Sequence, residues 1–179
     1  MKLNKIVLGV AFAMGMASFA QAEETVVAPT DQGSGSVKFM GSIVDAPCSI
    51  VSEKDQTIDM GQIANTTLAN GGSSAPQPFK IELAKCNLAD KYKTVSVTFT
   101  GSEGGIPGAL GAGNASGASI IMTDGSSNQI KLGTATALQA LANGTNTLSF
   151  SAFVKGNPDN APIQLGNFEN TANFTLAYQ

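Results

Sequence analysis

Hydrophobic and polar residues alternate over much of this chain, and the alternation is clearest at its end. From Gly166 to Gln179 the even positions are Gly166, Phe168, Asn170, Ala172, Phe174, Leu176 and Tyr178. The odd positions between them are polar except for Ala177. A period of two places one set on each face of a strand, so this stretch predicts a strand with one buried face. The sequence stops there. No hairpin partner follows, so a neighbour for one edge of this strand is expected from another molecule.

The same period predicts further strands. Phe79, Ile81 and Leu83 alternate with Lys80, Glu82 and Ala84 up to Cys86. Val95, Val97 and Phe99 alternate with threonine and serine. Residues 120–123 and 129–132 flank Asp124-Gly125, a hairpin signal. Leu148, Phe150, Ala152 and Val154 alternate with Ser149, Ser151 and Lys155, with Phe153 out of phase. Gly35, Val37, Phe39 and Gly41 alternate with Ser36, Lys38 and Met40 in an earlier candidate strand. Pro47 points to an edge position or a strand switch, because proline cannot donate to a ladder. Ile58, Met60 and Ile63 flank Gly61 in a short strand and bend. Residues 64–78 read as turns, 101–118 as a long flexible Gly/Ala/Ser loop, 156–165 as a Pro/Asn loop, and 135–142 as one possible helical turn. About seven strands and no long amphipathic helix predict an all-β, immunoglobulin-like sandwich in one domain.

Composition narrows the function. Charged residues make up 13% and there are 20 glycines, which suits a turn-rich β protein. The net charge of −3 lacks the clustered cations that a nucleic-acid partner needs. Residues 1–22 read as a signal peptide. Lys2 and Lys5 precede the apolar run Ile6–Ala20, and Ala20-Gln21-Ala22 is a small-x-small cleavage site. Fifteen apolar residues are too few for a membrane span, which takes about 20. The mature chain then starts at Glu23, with a later cleavage near Ala28 as the alternative. Cys48 and Cys86 are the only cysteines. An isolated pair in an exported chain predicts a disulfide.

Catalytic constellations are missing. With no histidine there is no Ser-His-Asp triad and no His-paired thiol. Gly101-Ser102-Glu103-Gly104-Gly105 lacks the lysine and following helix of a phosphate loop. Asp55 and Asp59 sit in turn-like text and read as solvated. Neither a metal nor a cofactor is expected. A sugar site would want aromatic platforms, and the chain has no tryptophan and two tyrosines.

Several segments together resemble the major pilins of chaperone–usher fimbriae. They are APTDQGSGSVKFMGSIVDAPCSI, DQTIDMGQI, IELAKCN and ANFTLAYQ. The likeness is greatest to the P-pilus rod subunit, with type 1 rod pilins further off. Its shared signs are Gly166 fourteen residues from the end, the penultimate Tyr178, the paired cysteines and a Gly-containing leader. The resemblance implies an incomplete immunoglobulin-like β-sandwich, missing its last strand, with an N-terminal donor-strand extension. The implied division is extension 23–41 and pilin domain 42–179. Gly166, Phe168, Phe174, Leu176 and Tyr178 would line the acceptor groove, which a periplasmic chaperone fills first. Gly35, Val37 and Phe39 would form the donor, with Gly33 the rival for the donor glycine. Subunits would then join head to tail at an outer-membrane usher, giving a homopolymeric rod on the cell surface. The rod supports adhesion and meets a host receptor only indirectly. The alternatives are a minor adaptor or terminator pilin, or a sugar-binding fimbrial adhesin.

Overall fold

The computed structural model describes residues 33–179 except 54, 90, 114–116 and 159–160. The signal peptide and residues 23–32 therefore lie outside the described residues. The chain divides into two units, Met1–Ser42 and Ile43–Gln179. In the first, residues 33–42 form neither helix nor strand and every one of them is exposed. The strand expected over 35–41 is therefore not formed. Its apolar side chains are bare, Val37 at 77% and Phe39 at 89% exposure.

The second unit is a two-sheet sandwich with nine strands among the described residues. They are β1 (Ser49–Ile50), β2 (Gln77–Cys86), β3 (Thr94–Thr100), β4 (Leu110–Gly111), β5 (Ala118–Asp124), β6 (Gln129–Ile130), β7 (Gln139–Ala140), β8 (Gly144–Gly156) and β9 (Asn173–Tyr178). One sheet has the order β1-β2-β8-β5-β4, with β6 beside β5. The other has the order β7-β3-β9. All pairings are antiparallel.

The alternating residues make the core between the sheets. Ile81 pairs in register with Leu148 and Phe79 with Phe150. Ile81, Leu83, Leu148 and Val154 from the larger sheet, with Val95 and Val97 from the smaller, are almost wholly buried. Phe99 of β3 meets Phe150 of β8 edge-on at 5.3 Å, so an aromatic contact crosses the layer. Such a pair contributes about 0.5–1.5 kcal/mol beyond area burial. The disulfide joins Cys48, just before β1, to Cys86 at the end of β2. Closing a loop of 38 positions stabilises the fold by about 4 kcal/mol in the chain-entropy account. β1 is an edge strand, as Pro47 implied.

Three local expectations are corrected. Residues 64–78 hold a short helix, α1 (Asn65–Leu68), and a 3-10 turn, Ala69–Gly71. The 101–118 region is packed: it contributes β4 and buries Ala109, Leu110 and Ala112. Its glycines allow close approach, since a Cβ on Gly117 would stand 2.3 Å from the Pro162 carbonyl oxygen. Residues 135–142 form no helical turn but include β7. The Asp124-Gly125 hairpin is present. The Asp124 carboxylate accepts from the Ser126 and Asn128 N–H groups and from Asn128 Nδ2. Those bonds, Asn128's first, hold its pKa below the usual value.

Candidate functional site

The site is the outer edge of β9. Strand β9 pairs with β3, from Val95↔Tyr178 to Thr100↔Asn173. Gln179 and Thr94 exchange both backbone hydrogen bonds at 2.9 Å. Bonded pairs alternate along an antiparallel ladder. Residues 177, 175 and 173 therefore bond to β3. The N–H and C=O groups of Phe174, Leu176 and Tyr178 point the other way. On that side β9 has no strand neighbour among the described residues.

The side chains repeat the asymmetry. From Asn167 to Gln179 every even position is half-buried and every odd one exposed. The predicted faces hold over that span, although ladder pairing covers only Asn173–Tyr178. Phe168, Phe174, Leu176 and Tyr178 all pack against the core without being fully covered. Directly across the ladder, Val95, Val97 and Phe99 are 0%, 0% and 3% exposed. Phe174 lies 6.3 Å from Phe99, and Tyr178 meets Tyr92 at 6.4 Å, ring centre to ring centre. Partial burial raises the Tyr178 pKa above its ordinary value, because the phenolate is poorly solvated there.

A second wall faces the Phe168 end of this stripe, and sequence reasoning missed it. Gln56, Ile58 and Met60 are half-buried while Thr57 and Asp59 are exposed, an alternation with no ladder behind it. Gln56 Nε2 donates to the Lys80 carbonyl at 2.9 Å, and Asp59 Oδ1 accepts from Gly61 N at 2.8 Å to close the bend. A cleft of about 480 Å³ runs between Ile58, Met60 and Ile63 on one side and Ile163, Gly166 and Phe168 on the other. Among the described residues, none that lines it is charged. The period in QTIDM was the available signal; the wall shows no pairing of its own. Nearby, the Ser52 hydroxyl is the only buried side-chain polar atom among the described residues without a hydrogen-bond partner.

Gly166 sits at a bend with φ +143° and is exposed. Nothing lies within 4 Å of a Cβ placed there. Its glycine is required by backbone conformation, not by crowding. The donor candidates Gly35, Val37 and Phe39 are exposed. The same exposed run continues through Ile43 and Val44, at 105% and 71%. By period two, Gly41 and Ile43 extend the face of Val37 and Phe39, a stretch the sequence reading ended at residue 41.

The two-sheet sandwich thus has an outer edge, that of β9, with no strand neighbour among the described residues. The family described as "Fimbrial protein" matches residues 37–179. This chain belongs to the fimbrial protein family. It is 51% identical to the Fimbria A protein of Serratia marcescens over the full length of both chains. A chain from a chaperone–usher pilus, solved to explain uncoiling of its rod, superposes with a TM-score of 0.73. That match has 36% identity and covers 85% of this chain and 100% of the other. The P pilus rod subunit PapA superposes with a TM-score of 0.68 at 32% identity, covering 75% and 100%. The chain is a major pilin subunit of the chaperone–usher type, a structural protein of the fimbrium and not an enzyme. Pilins of this type polymerise with other pilins at the cell surface.

Proposed function

We propose that this pilin polymerises by donor-strand exchange, the exposed segment of one copy lying along β9 of the next. The observation that carries the reading is the unmatched row of N–H and C=O groups on Phe174, Leu176 and Tyr178, above half-covered side chains. An edge of this kind is a template for an added strand. Gly35, Val37, Phe39, Gly41 and Ile43 present one apolar face to it. A strand over Gly35–Ile43 reaches about 26 Å at roughly 3.3 Å per residue, long enough to pass all of β9. Each well-buried donor side chain contributes about 1.5–3 kcal/mol, and the ladder satisfies the bare backbone groups. Donor and acceptor are different surfaces, so the contact repeats head to tail as an open filament.

In this reading a periplasmic chaperone covers the same edge first, and an outer-membrane usher is where the donor segment replaces it. The rod then extends from the cell and supports adhesion. Deleting residues 23–39 tests the proposal. Fibres should vanish from electron micrographs while the subunit still co-purifies with its chaperone. Normal fibres from that variant would refute it.

A further inference from the structure

The other edge of the small sheet is closed by the chain itself, mostly through backbone bonds and at one point through a side chain. Residues 94, 96, 98 and 100 face β9, so Val95, Val97 and Phe99 direct their backbone groups to the opposite side, as does the Lys93 carbonyl, whereas the Lys93 N–H donates to Gln179 O at 2.7 Å. There Gly133 N donates to Phe99 O at 2.8 Å, Thr136 N to Val97 O at 2.9 Å, and Leu141 N to Lys93 O at 2.9 Å. Val95 pairs with Gln139 in β7. The Val97 N–H is the exception: it donates to the Thr136 hydroxyl at 3.0 Å rather than to a carbonyl. Thr136 therefore holds Val97 twice, by its backbone N–H and by its Oγ1. The next residues, Ala137 and Leu138, are exposed, Leu138 at 54%.

We infer that residues 133–141 are an edge guard, with Thr136 as its latch, that limits each subunit to one donor strand. The inference rests on the strand-exchange reading above. Both edges of β3-β9 offer the same backbone chemistry and adjoin the same core. Without the guard, a free apolar donor segment would find two ladders on each subunit, and a linear filament would branch. The latch is a hydroxyl because the covering chain slips out of register between Ala135, which bridges Thr98, and Gln139, which pairs with Val95. At the slip the hydroxyl accepts from Val97 N and itself donates to the Ala137 carbonyl at 3.3 Å.

The test uses fibres of the full chain and a labelled synthetic peptide of residues 33–45. Wild-type fibres should exclude the peptide except at their ends, since neighbours fill the β9 edges. Thr136→Val keeps the shape and removes the acceptor. Its fibres should take up about one peptide per subunit and associate laterally. Their Val97 amide should exchange with solvent at least about tenfold faster. Thr136→Ser should behave as wild type. Gln139→Pro, which removes a ladder donor from β7 without touching the core, should open the same edge. Exclusion of the peptide by both Thr136→Val and Gln139→Pro fibres overturns the guard. Uptake near one per subunit by wild-type fibres would instead overturn strand exchange itself, because the β9 edges would then be empty.

Discussion

The two edges of the small sheet begin from the same material and end differently. On the β7 side, the Lys93 carbonyl and Val95, Val97 and Phe99 are matched by the chain's own residues 133–141. On the β9 side, the backbone groups of Phe174, Leu176 and Tyr178 point outward with no strand beside them among the described residues. Hydrophobicity does not distinguish the two edges, for valine and phenylalanine line one and phenylalanine, leucine and tyrosine the other. The difference is whether a covering segment is present in the same domain. An edge left bare is an aggregation hazard in most proteins. Within the small sheet the described residues leave that hazard at the β9 edge, and the proposed donor segment, exposed and apolar at Val37 and Phe39, would meet it.

The largest effect should separate the edges by stability. Val97→Ala, in the closed interior, should cost the refolded subunit about 2–3 kcal/mol in urea unfolding, the lost burial plus a cavity. Leu176→Ala, half-exposed, should cost about 1 kcal/mol in the same measurement. Adding the 33–45 peptide should raise the Leu176→Ala penalty to about 2–4 kcal/mol and leave that of Val97→Ala unchanged. Equal penalties in the free subunit would mean that β9 is already a finished edge.

Much of this asymmetry could be read from the sequence, and the remainder is non-local. Strands β2, β3 and β8 follow from alternation because each has a well-buried face along its length, whereas β5, buried from Ala118 to Met122, was legible only from the Asp124-Gly125 turn. The half-buried stripe from Phe168 to Tyr178 follows for the same reason. Alternation does not report ladder bonds, so residues 167–172 have the predicted faces without the predicted pairing. Residues 133–141 were opaque because their structure is set by β3, about forty positions earlier in sequence. The 101–118 region misled for a different reason: glycine serves there for close approach, and composition alone cannot tell that from freedom. The Gln56–Met60 wall was legible only as a weak period interrupted by Gly61.

A smaller effect is expected at Gly166. Crowding would make penalties grow with side-chain size, but the space around it is open. The strain lies in φ, at +143°, a region costing about 1–3 kcal/mol for other residues. Gly166→Ala and Gly166→Asp should therefore lose similar stability, within about 0.5 kcal/mol of each other. A much larger loss for aspartate would mean that the side chain enters the cleft, and would place the bend closer to the opposite wall.

The smallest effect is a titration. Burial raises the Tyr178 pKa above 10.0. The folded state then keeps its proton over a range where the unfolded chain has lost it. This contribution is whole below about pH 10 and falls away as pH rises through the folded value. It should be isolated in Tyr92→Phe, which leaves Tyr178 as the only phenol in the chain. Its ultraviolet titration should have a midpoint above 10. A strand laid along β9 removes more water from that ring, so adding the 33–45 peptide should move the midpoint further up. The residues of the closed edge carry no such reporter, which makes the shift specific to β9. A midpoint unmoved by bound peptide would mean that the added strand stops short of Tyr178, and the donor register would have to slide toward Phe168.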